Sequence, residues 1–253
     1  MIYDLQKASM WKRCSAAIFD FIILVIAVVG LATLVSSVLG YDNYYNDMMT
    51  AFDKYEKEYG VDFNITQEEY DSKTEADKLL WDTAYQALTA DKTAIYAYNM
   101  IFNLSLVIIT FSVLLAFIIL EFTIPNILGN GQTLGKKIFG IGVMRTDGVK
   151  VTAPLMFIRT ILGKFTIETM IPVLIVMMFL FNAIGMIGTF IIGLILLVQI
   201  ILLITTHTNS MIHDALAKTV VVDVASQMIF ASEEELIAYK EKVHAEQVAR
   251  QTY

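Results

Sequence analysis

The sequence predicts an all-α integral membrane protein with about four transmembrane helices, an acidic helical insertion on the outer side and a small β-hairpin on the inner side. Three observations carry this. Apolar residues make up 57% of the chain and charged residues 17%, against about 45–50% and 25% in soluble domains, and the mean hydropathy is +0.62. Charges are nearly absent from three long stretches: Cys14 to Tyr41 holds Asp20 alone, while Thr93 to Leu120 and Thr169 to Thr206 hold none. The segments between those stretches then alternate in charge sign.

A helix crossing the hydrocarbon core needs about 20 apolar residues. The first two stretches each supply one crossing, ending at residues 40 and 120. The first has an apolar run of about 22 residues, longer than the 7–15 of a signal-peptide core, so it is expected to be retained. The third stretch would form a helix of about 57 Å, nearly twice the thickness of the core. It is expected to break at Asn182, Gly185 and Gly188 into helices of 169–184 and 186–206, making a hairpin across 169–206; one tilted helix with a buried tail is the alternative.

Orientation follows from Lys and Arg. Residues 1–13 carry three basic residues against Asp4, and residues 41–92 carry five lysines against thirteen acids. Residues 121–168 carry six basic residues against three acids. This places both termini and the 121–168 segment in the cytoplasm and the 41–96 insertion outside, in a multi-pass cell-membrane protein.

Within the insertion, Thr66-Gln-Glu-Glu69 reads as a capping box, followed by Leu80, Trp81, Ala84, Tyr85 and Leu88 at helical spacing. That stripe packs either on a helix before Gly60 or on another protein. In the 121–168 segment, Asp147-Gly148 suits a tight turn between strands at 138–143 and 149–151. Thr152 and Pro154 then open an amphipathic helix carrying Arg159 and Lys164 among Leu155, Phe157, Ile158, Ile161, Leu162 and Phe165, lying at the interface. The 207–253 segment contains a second capping box, Ser232-Glu-Glu-Glu235, heading a charged, solvated helix.

Few residues suggest chemistry. Asp20 lies about two turns inside an apolar run, where a carboxylate costs several kcal/mol unless it is paired or wet. It needs either an ion pair, with Arg159 or another basic residue, or a role as a proton or cation site. Arg13, seven residues earlier, shares its helix face. His213-Asp214 follows the last crossing, where Asp214 suits Arg13 or Arg159. Three histidines and one cysteine, Cys14, are too few convergent ligands for a metal site. Gly129-Asn-Gly131-Gln-Thr-Leu-Gly135-Lys136-Lys137 lacks the Ser or Thr that a P-loop needs after its lysine. No cofactor and no enzyme chemistry is expected, and a net charge of −7 argues against nucleic acid.

These pieces resemble the RDD family of membrane proteins. Lys12-Arg13 through Ala16-Ala17-Ile18-Phe19-Asp20 is similar to its opening. Gly131-Gln-Thr-Leu-Gly135-Lys136-Lys137 with Gly140-Ile-Gly-Val143 and Asp147-Gly148 is similar to its central segment. Arg159, and His213-Asp214 with Ala217-Lys-Thr219-Val-Val221, are similar to its later blocks. The resemblance spans 11–40 and 97–223 and implies Arg13, Asp20 and Asp214 as the namesake residues. The 41–92 insertion and the tail after 224 depart from the family pattern.

The resemblance implies architecture more than activity, since some members are implicated in sodium–proton antiport and others act as membrane partners of proteases or secreted factors. Two functions are therefore expected. One is a cation- or proton-coupled transporter component resting on Arg13, Asp20, Arg159, His213 and Asp214. The other is a regulatory, scaffold or protective subunit that binds another protein through 41–96. In either case the partners are the lipid bilayer and a second copy or another membrane protein.

Overall fold

The computed structural model describes residues 5–180 and 186–251. The chain divides into two compact units, 1–27 with 114–253, and 28–113. Among the described residues, three helical stretches are long and apolar enough to cross a membrane: Met10–Leu39, Lys92–Leu128 and Ile187–Thr205. Their apolar side chains stand largely uncovered: Ile26, Val38, Ile187 and Ile204 are between 67% and 85% exposed. Apolar surface this continuous is stable only against lipid or another apolar partner. The all-α membrane class stands.

The first unit begins with α1 (Met10–Leu39), whose start is capped by Ser9 Oγ accepting from the Lys12 N–H at 3.3 Å. Residues Lys92–Phe117 form α5, counted with the second unit up to Val113, and the helix then continues through a π-helical turn, Ile118–Thr123 (π1), into α6, Ile124–Leu128. Gly129 and Gly131, both at positive φ, turn the chain into the short α7, Leu134–Ile138. Strand β1 (Ile141–Arg145) follows.

The hairpin expected after β1 forms only in part, and the strand that pairs along β1 is another. Residues 149–151 do not form a second strand; β1 pairs antiparallel with β2, Thr219–Asp223, in register Val143 with Val221. The Asp147-Gly148 turn is present, with Gly148 at φ 95° and its N–H donating to Arg145 O at 3.0 Å. Past Lys150, however, the chain must leave to start the next helix before Pro154. Lys150 keeps a single antiparallel bridge to Met144, with the Arg145 N–H donating to the Val149 carbonyl at 2.9 Å, and Val149 also bridges Phe230. Val143, Met144, Val220 and Val222 are at most 1% exposed, so burial of both faces selects the all-valine run of β2 over a three-residue arm.

Ala153–Phe157 (α8), Ile158–Met170 (π2) and Ile171–Leu180 (α9) form one continuous helical run. The helix expected to begin at 169 therefore begins at Ala153, and it does not lie as a separate interfacial helix. Asn182 and Gly185 lie outside the described residues. Gly188 sits inside α10, Met186–Thr205. α11 (Ile212–Ala217) leads into β2, and α12 (Glu233–Gln251) follows the Ser232 cap, where the Glu235 N–H donates to Ser232 Oγ at 3.3 Å.

The second unit contains α2 (Tyr41–Tyr59), α3 (Gln67–Ser72) and α4 (Glu75–Ala90) between the ends of α1 and α5. The capping box forms as read, with the Thr66 N–H donating to Glu69 Oε2 at 2.7 Å and the Glu69 N–H to Thr66 Oγ1 at 3.2 Å. A second cap at Thr74 restarts the helix, so the stripe belongs to α4. Ala84 and Leu88 are buried, and Leu88 clusters with Ala51, Phe52 and Tyr55 of α2. The stripe thus packs within the insertion, as the first of the two readings had it.

Candidate functional site

Asp214 is the centre of the site. Its side chain is fully buried, and Arg159, 2% exposed, grips it: Nε donates to Oδ1 at 3.0 Å and Nη2 lies 2.9 Å from the same oxygen. The Thr219 hydroxyl at the start of β2 donates to Oδ1 at 3.0 Å. On the other oxygen, Arg13 Nη2 stands 3.7 Å away and His213 Nε2 3.5 Å, and among the described residues Oδ2 has no hydrogen bond. Burial by itself pushes this carboxyl up, but the Arg159 guanidinium, followed by His213 and Arg13, holds it well below the usual carboxylate range.

His213 is fixed from behind. Its Nδ1 lies 2.8 and 2.9 Å from the two oxygens of Glu168, and its backbone N–H donates to Glu168 Oε1 at 3.0 Å. Gly163 admits this close packing, since a Cβ there would meet the His213 Cα and Cβ at 2.7 Å. Lys164 pairs with Glu121 of π1, which is 3% exposed. The Thr160 hydroxyl donates to the Glu121 carbonyl at 3.0 Å.

The π-helical ladder gives these residues a common face. In an α-helix, Arg159 and Glu168, nine residues apart, would be separated by about two and a half turns and point in opposite directions. With i→i+5 hydrogen bonds, residues four to five apart fall on one side. Arg159, Lys164 and Glu168 all line a single cavity of about 180 Å³ together with Arg13, Asp20 and Lys136.

A family model, that of the RDD family, matches residues 7–218. The chain belongs to the RDD family. No curated protein and no solved structure matches it. The match encloses Arg13, Asp20, Arg159, His213 and Asp214, and it ends before α12.

In this RDD protein Arg13, Arg159, His213 and Asp214 come together in one network. Asp20 reaches the same cavity but has a different set of partners. The ion pair with Arg159 weighed for it does not form: Asp20 Oδ2 accepts from the Thr133 hydroxyl at 2.5 Å and Oδ1 from the Gly135 N–H at 2.7 Å. The carboxylate thus sits at the N-terminus of α7, where anions are favoured. Gly135 is required there, because a Cβ would fall well inside contact distance of the Ala16 carbonyl and 2.9 Å from Asp20 Cγ.

Four further charged residues belong to the site: Glu121, Lys136, Lys164 and Glu168. Glu121 and Glu168 were visible as the carboxylates bounding long uncharged runs. The lysines entered the sequence argument through orientation, the amphipathic helix and the Gly135-Lys136-Lys137 motif, without a place in the site. Among the described residues no group of acidic, histidine or cysteine side chains is arranged to hold a metal ion.

Proposed function

We propose that this RDD protein is a multi-pass membrane protein whose polar cavity couples proton movement to that of a monovalent cation. The observation that supports it is a network of buried and half-buried charged side chains, four basic and four acidic, in and beside one cavity, in a chain whose long helices are otherwise apolar. Ionisable groups held at membrane depth are expensive and mark ion or proton pathways. In this reading α9 and α10 form the third and fourth crossings, both termini face the cytoplasm by the distribution of Lys and Arg, and a second copy supplies helices that four crossings lack. The test is ion flux in proteoliposomes. Absence of proton-coupled sodium or potassium movement ends the reading, and movement unchanged in Asp20→Asn removes this cavity from the path.

A second reading is supported by the insertion, where α4 leaves Tyr85 and Leu79 exposed beside a half-buried Trp81. Trp81 and Tyr85 stack at 5.2 Å with an interplanar angle of 9°, and Leu79 is 69% exposed. An exposed tyrosine held rigid by a stacked tryptophan suits binding of a protein partner. A stoichiometric partner captured by crosslinking in intact membranes and lost on deletion of 44–90 is the expected result. Capture unaffected by the deletion dismisses it.

A further inference from the structure

Lys136 differs from every other charged residue of the cavity. Its neighbours are each committed: Arg159 and Arg13 to Asp214, Lys164 to Glu121, His213 to Glu168, and Asp20 to Thr133 and Gly135. Lys136 is only 9% exposed and lines the cavity. Among the described residues its Nζ has neither a hydrogen bond nor an ion pair, and the one bond its own residue donates is from the backbone N–H to Thr133 Oγ1 at 3.3 Å. A desolvated ammonium without a partner is unfavourable and is relieved by losing its proton. The backbone holds it there regardless, because Thr133 and Asp20 fix the start of α7 one turn earlier.

We propose that Lys136 is the group through which a proton enters and leaves this cavity. The Nζ–H bond breaks as a bond forms to a water oxygen in the cavity, leaving a neutral amine, and the return step reverses it. The charges facing Lys136 come from each surrounding element: Asp20 and Arg13 from α1, Glu121 from π1, Arg159, Lys164 and Glu168 from π2, and His213 and Asp214 from α11. Loss of the proton lowers the charge of the network by one, a change that favours uptake of a monovalent cation. Burial, followed by the Arg159 guanidinium, pushes the ammonium down to about 7; Glu121 opposes the fall and Lys164 adds to it.

The assignment rests on the proposed function for its purpose and on the site alone for its truth. The experiment is a pH titration of the full-length protein in lipid nanodiscs, reading the NMR shift of lysine labelled with ¹³C at Cε. One lysine signal is expected to titrate between about pH 6 and 8, against about 10.4 for an ordinary lysine, and to vanish in Lys136→Arg. Amine acetylation of the wild-type protein, followed peptide by peptide across pH, gives the same midpoint without a variant. A Lys136 midpoint above about 9.5 by either method overturns the assignment. If flux is absent while the midpoint lies near neutrality, the transport reading fails and the proton site stands. If flux is present with an ordinary midpoint, only Lys136 is wrong.

Discussion

Replacing Asp214 by asparagine tests the network at its centre. The substitution preserves volume and removes the one negative charge shared by Arg159 at 2.9 Å and Arg13 at 3.7 Å. Two guanidiniums, one 2% exposed, are then left without a counter-ion. Breaking a buried pair in this way costs about 3–5 kcal/mol. For a chain of this size each kcal/mol lowers Tm by about 2–4 °C, so Asp214→Asn is expected to melt about 6–20 °C below wild type when thermostability is followed by size-exclusion chromatography in detergent. The exposed pair of Lys12 with Asp223 is the control, since Lys12→Gln is expected to cost less than about 1 kcal/mol. The double variant Arg159→Met with Asp214→Leu, which removes both charges, is expected to recover much of the loss. An Asp214→Asn protein melting within about 2 °C of wild type refutes the view that this carboxylate holds the site together.

Acid should act on the same carboxylate. Its folded pKa lies below the unfolded value, so the unfolded chain binds the extra proton. The stability it contributes is complete above about pH 5 and falls as pH drops below about 4, with a slope approaching about 1.4 kcal/mol per pH unit; Asp214→Asn should lack that part of the slope, as acid melting curves will show. Gly163→Ala drives a methyl to 2.7 Å from His213 and should cost about 1–3 kcal/mol, read as a lower Tm. Asp20→Ala leaves the Thr133 hydroxyl and the Gly135 N–H without their acceptor, a loss of about 1–3 kcal/mol that Asp20→Asn should reduce. Thr66→Ala removes a cap in the insertion and should cost about 1 kcal/mol, visible as faster hydrogen exchange across Gln67–Ser72.

The local features were legible because they depend on neighbours in sequence. The apolar runs set the positions of α1, α5 and α10, the Thr66 box formed in full, Ser232 capped its helix while Glu235 reached back to the Ala231 N–H rather than to that of Ser232, and Asp147-Gly148 made its turn. Arg13 and Asp214 were readable as complements because a lone charge beside an apolar run needs one. Strand pairing was legible only in part: the Asp-Gly turn brings Lys150 back to a single bridge with Met144, and only burial of Val220, Val221 and Val222 decides that β2 pairs along the whole of β1. The partner of Asp20 was equally hidden, since Thr133 and Gly135 lie more than a hundred residues away and carry no charge to announce them. Helical pitch was the largest omission. Counting at 3.6 residues per turn separates Arg159 from Glu168, and only packing of π2 against π1 and α11 shows that a wider ladder turns Arg159, Lys164 and Glu168 onto one cavity. Composition determined that this chain meets lipid; the pitch of one helix, set by what it packs against, decided which of its charges meet each other.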